Sequence, residues 1–472
     1  MTHRTRSFAL AAAVLGTLAV TGLSRAATAE PTPEELLERA QKLIEQAEPQ
    51  KAARAESAEA DKAAALDRVL ADAEARSTKP AVAAGTPVLL QNGDIDDPDP
   101  FTAGHNGKFL LQSEDGNFSL NPNFQLQVRH VANFAPIDEN GGEGDAFDDL
   151  DFGFEIRRAK IGFKGNAFSP DLTYDIRLNV SRNGGQAILD NAFVDYTPEN
   201  GLFNNDALGL RIGQYKDPTF YEEASSSSRQ MAADRSLVNE TLGGGVTDYV
   251  QGVGIIYKGD KANAFFSYVD GVNSGNTNYE DGLDLLAGLT GRVDVIVKGD
   301  EGAFRDFTAL GTDEDSARVG AGAFLQIADD GDDVGYALLH TIDASYETST
   351  GLGLFAAYYG TLFDDGGTGG SDGYNAGAEA QISQVLDEEN GWEVFGRYDF
   401  IVFDEDVDGE DFYHELVAGV NKYWESHKVK MTVDVGILPN GNPGGNSGIG
   451  YRADGASDEM QLTIRGQFQL LL

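Results

Sequence analysis

The sequence predicts an all-β fold, a transmembrane antiparallel β-barrel of about sixteen strands preceded by a short α-helical (coiled-coil) segment. Three observations predict it. The last residues alternate strictly between apolar and polar. The same alternation recurs along residues 118–472, with connections of two kinds. An export signal stands at the N-terminus.

The C-terminal stretch is QLTIRGQFQLLL. Leu462, Ile464, Phe468, Leu470 and Leu472 fall on one parity; Gln461, Thr463, Arg465, Gln467 and Gln469 fall on the other. Alternate side chains of a strand face opposite ways. A strand with lipid on one face and a wet lumen on the other needs this pattern.

At the N-terminus, Arg4 and Arg6 precede an apolar run from Phe8 to Leu23, and Ala27-Thr28-Ala29 is a small-x-small cleavage site. This is a secretory signal, residues 1–29. The run is shorter than the ~20 apolar residues of a spanning helix. Residues 30–79 follow as a periplasmic helical segment. Leu36, Ala40, Leu43 and Ala47 lie at a/d-like spacing, and Ala55, Ala58, Leu66, Val69 and Ala73 resume a narrow stripe after Pro49. A short coiled coil or a charged tether would carry such a stripe. Residues 80–108 read as a linker and 109–472 as the barrel.

Sixteen alternating runs are expected at 118–134, 152–168, 172–181, 187–196, 208–216, 249–258, 261–270, 285–298, 317–327, 338–348, 352–363, 374–386, 392–403, 412–424, 428–438 and 459–472. An even number suits a closed bacterial barrel. Ser169-Pro170-Asp171, Gly259-Asp260 and Thr350-Gly351 read as tight turns. The long or acidic loops 135–151, 217–248, 271–284 and 439–457 lie between. Two intervals depart from this alternation: 299–316 is long for a turn and 183–186 short for a loop. Phe134, Phe152, Tyr196, Tyr257, Tyr358, Phe403, Tyr423 and Trp424 near strand ends suit two interfacial belts.

Composition narrows the chemistry. The chain has no Cys, hence no disulfide or thiol chemistry. Its net charge of −42 argues against nucleic acid as a partner. No catalytic constellation or phosphate-cradling loop stands out, so neither an enzyme nor a cofactor is expected. Asp404, Asp406, Asp408 and Glu415 match the spacing of a calcium loop, but both flanks read as strands, and an acidic solvated loop is the plainer reading.

The segments FGFEIRRAKIGFKGNAFSPDLTYDIRLNV, NAFVDYTP and LGLRIGQYKDPTFYEEASSSSRQMAADRSLVNE resemble the phosphate-selective porin O/P family. The likeness rests above all on Arg157 to Gly165 and Gly213 to Pro218. The resemblance implies a sixteen-stranded outer-membrane porin, usually a homotrimer in outer-membrane lipid, with the third loop folded inward. It implies a water-filled channel for passive diffusion of small hydrophilic solutes and ions such as phosphate. The position of Arg157 and Arg158 belongs to the family's pore-lining ladder. A secreted all-β binding or adhesion protein with a coiled-coil stalk is the alternative reading.

Parity sorts the charges. Arg129, Arg158, Lys160, Lys164, Arg177 and Arg211 share the polar face, and a slip of parity in FEIRRAKIGF calls for a bulge that brings Arg157 inward as well. Guanidinium forks in that position suit an anion path. The loop 217–248 offers Tyr221, Glu222, Arg229 and Arg235 to a constriction. On the later strands, Asp343, Glu347, Glu379, Glu393, Asp399 and Asp434 take the polar parity. This predicts a lumen basic on one wall and acidic on the other, with the transverse field of a general diffusion pore.

Overall fold

The computed structural model of the chain describes residues 101–105, 109–135, 150–180, 185–199, 201–203, 205–278, 285–299, 304, 306–329, 334–364, 373–407, 410–443, 448–452 and 460–472. The expected signal, helical segment and most of the linker lie outside the described residues.

A hairpin comes first, β1 (Phe101–His105) and β2 (Phe109–Ser113), paired from Phe101↔Ser113 to His105↔Phe109. β1 falls within the stretch expected to be linker. Period-two reading missed it because five residues without a clear apolar face carry little signal.

The barrel strands follow. They are β3 (Ser119–Phe134), β4 (Leu150–Ala167), β5 (Ser169–Val180), β6 (Ala187–Tyr196), β7 (Leu208–Lys216), β8 (Tyr249–Lys258), β9 (Ala262–Val269) and β10 (Leu285–Lys298). Then come β11 (Ser316–Asp329), β12 (Val334–Glu347), β13 (Leu352–Asp364), β14 (Gly373–Asp387), β15 (Trp392–Val407), β16 (Glu410–Tyr423), β17 (Val429–Leu438) and β18 (Gln461–Leu471). Each pairs antiparallel with the next. β18 pairs with β3 from Leu462↔Phe134 to Leu471↔Gln125, so sixteen strands close on themselves. Leu472 completes the seam, exchanging two 3.0 Å backbone bonds with Phe124. Closure leaves no unpaired edge among the barrel strands, as spanning by strands requires.

The C-terminal alternation is realised in β18. Ile464, Phe468 and Leu472 are exposed on the outside, while Gln461, Thr463, Arg465, Gln467 and Gln469 are buried inside. Of the belt aromatics, Phe134, Phe152, Tyr196, Tyr257, Tyr358 and Trp424 are exposed. Tyr423 is not: it points inward and donates to Glu393 at 2.7 Å.

One irregularity matters for the lumen. In the β3–β4 ladder Gln127 pairs with Arg158 but Val128 pairs with Ile156, so Arg157 is an extra, bulged residue. A bulge lets two successive side chains share a face.

The lumen is not empty. Residues 217–248 carry three short helices, α1 (Tyr221–Ala224), α2 (Leu237–Leu242) and α3 (Gly244–Thr247). Phe220, Leu237, Val238 and Leu242 of this loop are buried against inward-facing Phe324, Leu339, Phe355, Ile401 and Val417. Each such side chain contributes about 1.5–3 kcal/mol on full burial. The inside of the later wall therefore offers the loop an apolar surface among its polar groups.

Candidate functional site: the lumen path

The loop is tied to the later wall through its main chain. Ala233 N donates to Asp434 Oδ2 at 2.8 Å, Val238 N to Asp399 Oδ1 at 3.1 Å and Leu237 N to Glu415 Oε2 at 3.2 Å. Arg397 donates to the carbonyls of Asp234 (2.9 Å) and Arg235 (3.1 Å) and to Glu415 at 2.8 Å. Glu379 accepts from Tyr359 at 2.6 Å and Glu393 from Thr308 at 2.6 Å. Asp343 holds Arg292 at 2.8 Å, and Glu347 accepts from Thr312 at 3.0 Å. The acids expected to form one pole of a transverse field are instead buried. They serve as acceptors for the loop and for neighbouring side chains, because a buried carboxylate without donors is costly.

Within the loop, Ser236 caps α2 by accepting from Asn239 N at 3.1 Å. Its own N and Oγ donate to Glu222 at 3.0 and 2.6 Å. Burial, and then Glu379, push the Glu222 carboxyl well above its usual range. Arg235 donates to the carbonyls of Glu222, Glu223 and Ser225. Burial would raise Glu223 too, but Arg235 and Lys216 outweigh it and hold that carboxyl well below the usual range. Glu222 and Arg235, expected at a constriction, thus brace the loop from within, and Arg235 also faces the lumen.

On the opposite wall, three guanidinium groups converge on one loop carboxylate. Arg157 reaches Asp234 at 2.8 Å and Arg158 at 3.3 Å; Arg129 bonds the same carboxylate and also Glu155. Lys160 pairs with Asp190 at 2.5 Å, Lys164 with Asp175 at 2.9 Å and Arg211 with Asp195 at 2.7 Å, while Arg177 stands 3.9 Å from Asp175. All seven basic side chains therefore have acid partners on the lumen side. They form a paired lattice.

Two cavities remain between the loop and the early wall. The outer, about 480 Å³, is faced by the cations Arg157, Arg158, Lys160, Lys216 and Arg235, and by the acids Asp190, Glu223, Glu240 and Asp248. The inner, about 590 Å³, is faced by Arg211, Lys216, Arg229, Lys258 and Arg292, with Asp294 the one acid in its lining. Lys216 borders both, so it stands where they meet. Three residues earlier, Gly213 has a φ of 127°, which only glycine adopts readily. Beyond this residue the buried side chains of Gln214 and Tyr215 depart from strict alternation. Sequence reasoning missed Lys216, although it lies within GQYKDP.

The long interval between β10 and β11 also enters the barrel. Phe307 is buried against Tyr221 and Phe355, and Tyr221 Oη donates to the Phe304 carbonyl. Asp306 holds Arg229 at 3.2 Å and His427 at 3.0 Å. Tyr221 and Arg229 thus meet a segment rising from the short-turn rim. Its excess length is used as a second inward element.

Among the described residues the calcium pattern is not brought together. Glu415 is buried at mid-barrel, bonded to Arg397 and to Tyr451 at 2.9 Å. Asp404 accepts from Tyr374 N at 2.9 Å near the loop rim. Asp408 lies outside the described residues, as does the side chain of Asp406. In a strand, eleven residues separate Asp404 from Glu415 along two paired chains and cannot wrap one ion.

Comparison with known proteins agrees with this architecture. Residues 124–316 match the family model of phosphate-selective porin O and P. No curated protein matches the chain. Among solved structures, an anion-selective porin from Comamonas acidovorans is similar at 14% identity and a TM-score of 0.51, covering 75% of this chain and 100% of that one. OprB of Pseudomonas putida, in a high-pH structure, is similar at 10% identity and a TM-score of 0.50, covering 76% and 95%. These identities speak for the fold alone. A closed sixteen-strand barrel with the β7–β8 loop inside, together with the family match from β3 to the start of β11, identifies the chain as an outer-membrane porin that is similar over those residues to phosphate-selective porin O and P.

Proposed function

We propose that this porin passes small anions, phosphate among them, along the early wall through the two cavities. The observation that carries the reading is the lining of the inner cavity, five cations to one carboxylate. The paired acids of Arg211, Lys216 and Arg229 stand outside that lining, so a passing ion meets the cations first. Fixed charge in a confined, partly desolvated path acts at a dielectric well below that of water. The acids of the later wall do not offset it, being bonded to the loop and to neighbouring side chains. The test is the reversal potential of the purified porin in a planar bilayer under a KCl gradient, then a potassium phosphate gradient. Anion-directed values support the reading, and a cation-directed value in KCl rejects it. Lys216→Gln, which removes the cation at the junction, is expected to move the KCl value toward cations and to lower phosphate conductance at least about twofold. Transport by a channel, with no catalytic step, accounts for every inward group described.

The outer cavity adds a pH dependence. Burial pushes Asp248 up to about 6; Lys216 draws it back and Glu223 adds to the rise. The carboxyl is charged above that value and neutral below it. Lowering the pH from about 8 to about 5 is therefore expected to shift the reversal potential toward anions, with a midpoint near 6. Asp248→Asn should hold the potential at its low-pH value throughout. A native curve with no inflection between pH 5 and 7 would remove Asp248 from the ion path.

We further propose a homotrimer, with residues 30–79 as a periplasmic helical segment that supports it. Deletion of residues 33–78 should leave a conducting barrel whose trimer dissociates at lower temperature on unboiled gels. Loss of folding would instead make the segment part of the barrel.

A further inference from the structure

The inner cavity has a feature that inorganic anions do not use. Phe193, Tyr215 and Phe265 line its wall beside Arg211. Their rings meet edge to face, Phe193 with Tyr215 at 6.4 Å and Tyr215 with Phe265 at 5.4 Å between centroids. The Arg211 guanidinium lies 3.9 Å from the Phe193 centroid, and about equally far from the other two, at 5.5 and 5.4 Å. Glycine makes the room: a Cβ on Gly254 would come within 2.7 Å of the Phe265 ring. Phe193 and Phe265 remain half-buried, and their open faces look into the cavity. Across it stands Arg229, 38% exposed, with Asp306 as its acid partner at 3.2 Å.

Hydrated chloride or phosphate gains nothing from ring faces. A solute with a flat apolar body and one anionic end gains from both sides of this cavity: stacking on rings and on a guanidinium plane, and a charge-assisted fork from Arg229. The volume, about 590 Å³, lies in the range of small-molecule sites. We propose that the inner cavity is a transit site for small aromatic carboxylates, the ring lying against Phe193 and Phe265 and the carboxylate meeting Arg229. This rests on the anion-path reading and narrows it to a class of organic solute.

The test uses the full-length porin in planar bilayers and reads block of the KCl current by added benzoate, acetate and benzyl alcohol. Benzoate is expected to half-block at a concentration at least fivefold below acetate, and benzyl alcohol to have little effect. The double variant Phe193→Leu/Phe265→Leu keeps apolar bulk and removes the ring faces. It should bring benzoate to within about twofold of acetate. Arg229→Gln, which disturbs no packed ring, should weaken benzoate block at least threefold, and it decides the matter if the double variant fails to fold. Equal block by benzoate and acetate in the native protein overturns the proposal. So does block by benzyl alcohol as tight as by benzoate, or an Arg229→Gln channel blocked as the native one is. A cation-directed native reversal potential would overturn the anion-path reading separately, since the block ratios are read independently of it.

Discussion

Replacing Arg157 and Arg158 together by alanine is expected to reverse the charge of the cluster around Asp234, beside the outer cavity, and to shift the reversal potential toward cations. Arg129, Arg157 and Arg158 face Asp234 and Glu155, three positive groups against two negative. The double variant leaves one against two. Two unit charges 4 Å apart interact by about 4 kcal/mol at an effective dielectric of 20, and 1.4 kcal/mol is about a factor of ten. Even when salt screens most of this, a change of at least about threefold in the anion-to-cation permeability ratio should remain. The loop should stay in place, because its main chain is held by the opposite wall. Either single variant should give a smaller shift, as Asp234 keeps two partners. An unchanged reversal potential in the double variant would mean that ions pass this cluster beyond the reach of its charge.

The barrel was legible because a strand's parity is written in adjacent residues. Fifteen strand pairs and the closing seam follow from local alternation and turn chemistry, and the ends of β6, β7, β8 and β10 coincide with the expected runs. The bulge at Arg157 was legible for the same reason, as a slip of parity within one segment. Orientation into the lumen was therefore readable for the basic residues. Their state was not. Whether Arg157 is a free fork or a tether depends on Asp234, 77 residues away. The later wall shows this most clearly. In sequence Asp399 looks like a solvated lumen acid and Glu415 like part of an acidic loop, but their partners are main-chain donors of Val238 and Leu237, 161 and 178 residues earlier. A signal did exist. Phe324, Leu339, Phe355, Ile401 and Val417 are apolar residues on the parity that otherwise faces water. A run of them across neighbouring strands marks the surface on which something apolar must sit. The inward course of the β10–β11 segment was likewise announced by its length and by Phe304 and Phe307, which a periplasmic turn does not need.

The later wall also predicts the largest single-site effect. Arg397→Ala is expected to release the loop. The guanidinium is 5% exposed, donates to two loop carbonyls, and stands among Glu222, Asp399 and Glu415, each fully buried. Without it three carboxylates share one dry volume with no nearby positive charge but Arg235 and Arg465. Removing one partner of a buried ion pair costs about 3–5 kcal/mol, since the remaining charge is left uncompensated. The relief open to the protein is to let the loop move out and admit water to the wall. Conductance should then rise several-fold, with added current noise. The reversal potential should move toward cations as Asp399, Glu415 and Asp434 lose their main-chain donors and face the path. The barrel itself, held by its ladders, should keep its strand signature in circular dichroism while unfolding at lower temperature. Arg397→Lys should be intermediate, because one ammonium cannot serve two carbonyls and a carboxylate with the geometry of a fork. Native conductance in Arg397→Ala would show that the apolar contacts of Phe220, Leu237 and Val238 suffice to hold the loop. The acids of this wall would then be neutralised by protonation, and no cation shift would accompany the substitution.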